Sequence, residues 1–305
     1  MSIARLILLA VGWLGLCPAA GAGVLVTIKP LHSIVSAVTD GVVEPALLLD
    51  GSVSPHLDRL RPSTLQSLHQ ADLLVWAGEG VETFLAPAVA QLPGTVSVIN
   101  LSKAGLPTQL PLRNAHSGHI EDHGKATNKL DAHLWFDPHN AAAIADLVAA
   151  KLVEIDPDNA RVYTDNSEKF KASLAATVDK VRQQLSGVSE KPFLVFHDAL
   201  QYFEQRFSLN NAGVVTYQPQ VAASAWHLRA LQQLIETQSI HCILTEPQLE
   251  SRTVRSVVDN AELHYAVIDP LASQMEASAG LYEAWLVETA MIIHDCLSHS
   301  AVTVD

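Results

Sequence analysis

The sequence predicts an α/β protein of two lobes, each with a parallel four-stranded sheet flanked by helices, joined by one long rigid helix. Two observations lead to this fold class. In both halves of the chain, short apolar segments alternate with helical patterns, which is typical of parallel sheets covered on both faces. The longest amphipathic pattern lies between the halves, and 305 residues with 49% hydrophobic content are enough for two lobes.

The first half contains four predicted strands and four predicted helices. Apolar runs bounded by Gly, Pro and Asp indicate the strands, and apolar residues at helical spacing indicate the helices. The strands are 24–29, 42–49, 73–77 and 96–101, and the helices between them are 31–40, 63–70 and 81–91. Further on, Asp137 and Pro138 supply an N-cap and a first-turn proline for a fourth helix, which runs through Leu152.

The connecting helix is predicted from a second Asp-Pro pair, which ends at Pro157. Apolar residues from Phe170 to Leu185 recur every three or four positions, and Gly187 is a natural stop. If the helix is continuous over 157–186, it is about 45 Å long at about 1.5 Å per residue. That length suits a connector between two lobes.

The second half repeats the alternation and brings polar residues to strand ends. Its predicted strands are 193–196, 213–216, 242–245 and 265–268, and its helices are 200–207, 224–236, 251–261 and 281–297. His197, Glu246 and Asp269 each follow a strand directly. Because open parallel sheets bind ligands at the carboxyl ends of their strands, these three residues are candidates for a binding site.

The first 22 residues have the pattern of a secretory signal, with one basic residue, an apolar run over 6–16 and small residues before a cleavage point. We expect cleavage after Ala20 or Ala22. The apolar run is short for a membrane span of about 20 residues, and Leu16 before Cys17 argues against lipid attachment. We therefore expect an extracytoplasmic, soluble mature chain. The expected organisation is a signal peptide at 1–22, an N-terminal lobe at 23–155, a connecting helix at 156–187 and a C-terminal lobe at 188–305.

The charge of the chain limits its partners. The formal net charge is −13, the isoelectric point is about 5.4, and no block of lysines and arginines occurs. Nucleic acid and an anionic membrane surface are therefore excluded as expected partners. A cationic ligand suits the acidic field better.

Two cysteines, Cys242 and Cys296, remain once the signal is removed. In an oxidising compartment, such an isolated pair is most simply a disulfide. It closes a loop of about 54 residues and stabilises the fold by on the order of 4 kcal/mol. Two free, buried thiols are the alternative.

The placement of the histidines indicates a metal site. His56, His133 and His197 each lie in or beside a loop at a strand end or helix start, and they are drawn from both lobes. Three neutral imidazoles suit Zn²⁺, which prefers four ligands in tetrahedral geometry. Taken singly, each is more simply a histidine bonded to the backbone. His139 is interpreted as a surface residue in the first turn of its helix.

A second group of histidines lies in the polar stretch 113–125. His116, His119 and His123 are spaced three and four residues apart, so they can share one cation reversibly on a mobile loop. This auxiliary loop is a candidate for collecting zinc or for sensing its abundance. The alternative is a polar linker that happens to contain histidines.

Motifs of common enzymes are absent from the sequence, which contains no H-E-x-x-H, no Gly-flanked serine of the hydrolase elbow type and no P-loop. A zinc hydrolase with three histidines and an open water position would still need a general base, for which Glu246 or Asp269 is available.

Seven segments together resemble one protein family. They are 28–31, 54–63, 71–76, 131–135, 196–199, 245–248 and 268–271. With them the chain resembles the high-affinity zinc-uptake solute-binding proteins of metal ABC transporters (the ZnuA type, cluster A-I), over essentially all of the mature sequence. The resemblance implies a non-enzymatic periplasmic receptor that binds Zn²⁺ as cargo and delivers it to a membrane permease. Because such a receptor must dock on its permease, we expect a monomer.

The resemblance also assigns roles to residues. It places the zinc ligands at His56, His133 and His197. The carboxylates of Glu246 and Asp269 are expected to offset the charge of the bound ion from behind the ligands. Some members carry an acid directly before the first histidine, where this chain has Pro55, so water or Asp269 is expected as the fourth ligand. Related manganese or iron receptors usually have a carboxylate at the third position, so an imidazole there favours zinc.

Further features follow from the family. It implies a disulfide between Cys242 and Cys296, two similar lobes and a long rigid helix. Its zinc branch often has a His-rich loop where 113–125 lies, and here that loop is short. A manganese or iron receptor of the same family is the first alternative, and a metal-dependent adhesin or a zinc hydrolase follows it.

Overall fold

The computed structural model contains two parallel four-stranded sheets, and it describes residues 22–56, 58–113, 129–217, 221, 223–249 and 263–298. The first sheet consists of β1 (Val24–Val26), β2 (Ala46–Leu47), β3 (Leu73–Trp76) and β4 (Ser97–Asn100), in the order β2-β1-β3-β4. The second consists of β5 (Phe193–His197), β6 (Asn211–Thr216), β7 (Cys242–Thr245) and β8 (His264–Val267), in the order β6-β5-β7-β8. All six strand pairings are parallel, which confirms the predicted fold class.

Helices cover the faces of both sheets. They are α1 (Lys29–Thr39), α2 (Pro62–Gln70), α3 (Ala86–Val89), α4 (Pro138–Ile155), α5 (Ala160–Leu185), α6 (Gln201–Phe207), α7 (Ala225–Gln238) and α8 (Leu281–Ser298). In the described part of the chain, none of them combines the length and the apolarity needed to cross a membrane. The predicted helix 251–261 and the predicted signal segment, apart from Ala22, lie outside the described residues.

The strands β1, β3, β5 and β7 are buried on both faces, so their consecutive side chains enter different cores. On β3, Val75 points into a central core, whereas Leu74 and Trp76 pack with α2 and α3 on the outer face. On β5, Val195 belongs to the same central core, and Leu194 packs outward with residues of α7. The central core is therefore continuous between the two sheets.

The long helix α5 runs between the lobes as predicted. It has 26 residues and a length of about 39 Å, and a 3-10 turn over Pro157–Asn159 precedes it, so the helix is shorter than the continuous 157–186 expected. It packs against α1 and α4 of the first lobe and against α8 of the second. Within this packing, the rings of Phe170 and Tyr282 lie 6.2 Å apart. The helix is thus held on both sides.

The predicted strand 42–49 is wrong in its length, because only β2 forms. Val42 and Val43 donate their backbone N–H groups to the carbonyl oxygen of Thr39, at 3.0 and 3.2 Å, in a turn that ends α1. Pro45 has no N–H group to offer a neighbouring strand. These three residues therefore cannot extend the pairing.

The predicted helix 81–91 is wrong in the same way. The chain forms a 3-10 turn over Thr83–Leu85 followed by the four residues of α3. Pro87 lies in the first turn of α3 and lacks the N–H group that a longer helix needs at that position. The proline therefore prevents α3 from extending further toward the N-terminus.

The start of α4 and the two cysteines agree with the sequence. The carboxylate of Asp137 accepts a hydrogen bond of 2.9 Å from the backbone N–H of His139 and so caps α4. Cys242 and Cys296 form a disulfide that joins β7 to α8, which confirms that expectation.

Candidate metal centre

Three imidazoles meet between the lobes. The ring centroids of His56, His133 and His197 lie 5.2 to 5.5 Å from one another, and one nitrogen of each lies within 4.8 Å of the others. The Nε2 atoms of His56 and His133 are 3.4 Å apart. In a tetrahedral zinc site with bonds of about 2.0–2.1 Å, ligand atoms are also about 3.4 Å apart. One pair therefore already has the spacing of such a site.

Each histidine comes from a different part of the fold. His197 is the last residue of β5, His133 precedes a 3-10 turn over Leu134–Phe136, and His56 lies in the turn that follows Pro55. The turn after His133 is fixed because Leu134–Phe136 is buried in the central core. The aromatic pair Trp135 and Phe136 thus packs in the core directly after His133.

Asp131 orients His133. One carboxylate oxygen of Asp131 lies 2.7 Å from Nδ1 of the ring and accepts a bond of 3.0 Å from the backbone N–H of His133. Burial lowers the pKa of His133, but the carboxylate of Asp131 more than offsets this, so the pKa lies above its ordinary value. Because Nδ1 faces the carboxylate, Nε2 is directed toward the other two histidines.

Glu246 plays the same part for His197. One of its carboxylate oxygens lies 2.9 Å from Nδ1 of His197. Glu246 directly follows β7, the neighbour of β5 in the second sheet, so the parallel strands bring the two side chains together at their carboxyl ends. His133 and His197 are both buried, and each has a carboxylate on its far nitrogen.

His56 has a different environment. It is half-buried, and burial together with the neighbouring His133 and His197 lowers its pKa to about 2. The ring is therefore neutral at every physiological pH. A neutral imidazole is the form that binds a metal ion.

Asp269, expected as a fourth ligand or as a supporting residue, is occupied by protein donors. Its carboxylate accepts hydrogen bonds from the backbone N–H of Leu271 at 3.0 Å and from both the N–H and the hydroxyl of Ser273 at 2.5 Å. The side-chain amide of Gln248 donates a fourth bond, at 2.8 Å. Asp269 therefore fixes its own loop, and the next two residues, Pro270 and Leu271, line the cavity between the histidines.

The three imidazoles line a very small cavity. It measures about 10 Å³, and Trp135, Glu246 and Gln248 are among the other residues around it. A space of roughly this size holds a single water molecule, whereas organic ligands occupy about 300–1,000 Å³. The cavity therefore suits a single ion.

Asp131 is a site residue that sequence reasoning does not single out. The available signal is its position two residues before His133, which allows a carboxylate to reach both the ring and the backbone of that residue. Such a spacing is common in proteins. The spacing indicates a site residue only once His133 is known to face two other imidazoles.

Arg113 is a second residue that sequence reasoning misses. Its guanidinium pairs with Asp198 at 3.2 Å and with Glu204, and both acids are buried in the second lobe. Arg113 is the last described residue before the loop that contains His116, His119 and His123, and these three histidines lie outside the described residues. His139 is exposed in the first turn of α4, in agreement with its interpretation as a surface residue.

Comparison with known proteins identifies the family. The family model described as "ZnuA: Zinc-uptake complex component A periplasmic" matches residues 24–296. The chain belongs to this family. A relative in Brucella suis biovar 1, a high-affinity zinc uptake system protein ZnuA, is 34% identical over 306 residues, which cover 90% of this chain and 92% of the relative. The resemblance read from the seven sequence segments is confirmed.

Solved structures of ZnuA proteins share the fold. A crystal structure of ZnuA covers 91% of this chain and is itself covered completely, with a TM-score of 0.77 and 21% identity. A zinc-bound ZnuA lacking residues 138–173 of its own chain covers 92% of this chain, is itself covered to 99%, and has a TM-score of 0.76 with 22% identity. At these identities the structures establish the common architecture of the zinc-uptake family.

Proposed function

We propose that this chain is the periplasmic receptor of a zinc importer, which captures Zn²⁺ between its lobes and delivers it to an ABC permease. The main support for this function is that three imidazole nitrogens lie within 4.8 Å of one another. Membership of the zinc-uptake family supports the same function. The chain is a binding protein and not an enzyme.

The three histidines act as the ligands in this proposal. Nε2 of His133 and of His197 face the ion, because their Nδ1 atoms are held by Asp131 and Glu246. His56 completes the triad from its loop. Three neutral ligands leave the double positive charge of the ion in place, and the two carboxylates behind the rings offset it.

A water molecule is proposed as the fourth ligand. Asp269 is the other candidate from the sequence, and its carboxylate already accepts four hydrogen bonds from Gln248, Leu271 and Ser273. Ligation by Asp269 would require some of these bonds to break. A water molecule in the fourth position requires no such rearrangement.

The chemistry of the donors favours zinc over manganese or iron. The site offers nitrogen from three imidazoles, which suits Zn²⁺, whereas Mn²⁺ is better served by carboxylate and water oxygen. A receptor for manganese or iron is therefore the weaker alternative.

Export and delivery complete the proposal. Segment 1–22 directs export and is cleaved after Ala20 or Ala22, and the mature chain acts as a monomer that docks on the membrane permease of a zinc ABC transporter. The loop with His116, His119 and His123 collects scarce zinc for the centre between the lobes.

Calorimetry with Zn²⁺ tests the function and the site. Wild type is expected to bind one Zn²⁺ tightly at the centre, and His133→Ala is expected to weaken that binding by more than about 100-fold. His139→Ala is the matched control, because this exposed histidine begins the neighbouring helix, and it should bind as wild type does. Tight binding retained in His133→Ala would overturn the site. Displacement of Zn²⁺ by equimolar Mn²⁺ would overturn the choice of metal.

A further inference from the structure

Gln248 bridges the two lobes beside the metal centre. Its side-chain amide donates one hydrogen bond of 3.0 Å to the carbonyl oxygen of Gly51 and one of 2.8 Å to the carboxylate of Asp269. Gly51 lies in the first lobe, five positions before His56, and Gln248 lies two positions after Glu246, which holds His197. One side chain thus links the loop that carries His56 to the lobe that carries His197.

Gly51 packs directly against the second lobe. It is buried and has a φ of +85°, and a Cβ at this position would lie 3.0 Å from Cβ of Ser273 and 3.2 Å from Cβ of Leu271. A side chain at this position would require its neighbours to shift by a few tenths of an ångström, and the positive φ would strain any residue that has a Cβ. The first-lobe loop and the second-lobe loop 269–275 are therefore in close contact at Gly51.

The loop 269–275 is itself held firmly. Asp269 fixes its first half through the bonds to Leu271 and Ser273. From the first lobe, the Lys29 ammonium donates to the carbonyl oxygens of Ser273 at 2.7 Å and Met275 at 2.9 Å. The loop is thus a fixed surface against which the first-lobe loop can be positioned.

We propose that Gln248 is a positioning residue for zinc capture: through Gly51 and Asp269 it clamps the His56 loop to the second lobe. His133 and His197 are each oriented by a carboxylate on the ring, and Gln248 sets the place of the third imidazole through the backbone of its loop. This inference rests on the proposed function of the centre. It also gives Asp269 a role that does not involve ligation, as the acceptor that orients the Gln248 amide.

Zinc affinity in Gln248→Ala tests the clamp. Removal of its two hydrogen bonds is expected to weaken Zn²⁺ binding about 5- to 10-fold, measured by competition with a chelator. Gln274→Ala is the matched control, since this exposed glutamine lies on the same loop and makes only a 3.5 Å contact with the Ser273 hydroxyl. An unchanged affinity in Gln248→Ala would overturn the inference, and so would an equal loss in the control.

A double-mutant cycle shows whether the effect passes through His56. In the His56→Ala background, Gln248→Ala is expected to produce no further loss of Zn²⁺ affinity, because the group it positions is gone. An equal loss in both backgrounds would overturn the inference.

Bound Co²⁺ provides a signature that general destabilisation does not produce. The visible absorption of Co²⁺ reports its ligands, so the spectrum of Gln248→Ala is expected to move toward that of His56→Ala. A wild-type spectrum combined with a lower affinity would overturn the clamp. The proposed function and the clamp can be contradicted separately. If wild type does not bind Zn²⁺, the proposed function is wrong. If wild type and Gln248→Ala bind Zn²⁺ with the same affinity, only the clamp is wrong.

Discussion

The histidines of the centre are held in two different ways. His133 and His197 are buried, and the Nδ1 atom of each faces a carboxylate at 2.7 and 2.9 Å. His56 is half-buried on a loop that approaches from the first lobe. Its Nε2 atom is 3.4 Å from that of His133, and one nitrogen of each of the three rings lies within 4.8 Å of the others. The comparison indicates two ligands whose rings are oriented by carboxylates, and a third whose position depends on its loop.

This difference has a consequence for capture and release. His133 and His197, whose rings are oriented by carboxylates, lose little conformational freedom when they bind an ion. We therefore expect them to bind the ion first. His56 is placed through the Gln248 bond to its loop, so it is the ligand that can be withdrawn when that bond breaks. Because α5 packs against helices of both lobes, we expect this loop movement, and not a large motion of the lobes, to distinguish loaded from empty protein.

The largest expected effect comes from removing a member of the fixed pair. His197→Ala is expected to weaken Zn²⁺ binding by more than about 100-fold, because the ion loses a ligand and Glu246 loses its partner. His56→Ala is expected to cost less, since the pair remains. Chelator competition measures both affinities, and a greater loss in His56→Ala would contradict the distinction between the two kinds of ligand.

The next effect comes from the carboxylates behind the pair. Asp131→Asn and Glu246→Gln are each expected to weaken Zn²⁺ binding about 10- to 100-fold, because the rings keep their places but lose orientation and basicity. Glu79→Gln serves as control, since this exposed acid pairs with Lys103 away from the centre. If both carboxylate variants bind zinc as wild type does, the rings are held by packing alone.

The pH dependence of binding gives a smaller effect. Zinc requires neutral His133, whose pKa is raised, so affinity is expected to fall as pH drops through that raised pKa, by about tenfold per unit below it. His56, with a pKa of about 2, does not compete for protons in this range. In Asp131→Asn the raising charge is absent, so the onset of the fall should move to lower pH. Titrations at several pH values measure the onset, and an onset unchanged by the substitution would contradict this assignment.

The smallest expected effect concerns the auxiliary loop. Replacing His116, His119 and His123 with Ala is expected to change the affinity of the centre by less than about twofold, because separate sites act independently. Zinc stoichiometry should fall if the loop collects the ion, and transport should slow when zinc is scarce. Unchanged stoichiometry and an unchanged uptake rate would leave the loop without a role in metal binding.

The alternation of strands and helices was enough to predict the fold, because each element in such a fold has its own apolar pattern. The errors concern the lengths of elements, and they arose where a proline or a turn ends the backbone hydrogen bonding. Pro45 and the turn at Thr39 shorten β2, and Pro87 shortens the helix before β4. Hydrophobic periodicity alone does not show how far hydrogen bonding extends along an apolar run.

The candidate site was also predictable only in part. Strand ends pointed to His197 and Glu246, and the family resemblance supplied the grouping of the three histidines. The contacts that fix Asp269 could not be predicted, because one comes from Gln248, 21 positions away in the chain, and the others depend on how the loop after Asp269 folds back. Sequence alone offers Asp269 as a carboxylate near a strand end, and only its hydrogen-bond partners show that its oxygens are already used.

The central core that joins both sheets has a consequence for folding cooperativity. Since α1, α4, α5 and α8 bury their apolar faces in this shared core, neither lobe can melt without exposing part of the other. Thermal denaturation should therefore show one calorimetric transition, in contrast to the two expected of lobes connected by a flexible linker. An ion bound at the centre would then raise the melting temperature of the entire chain.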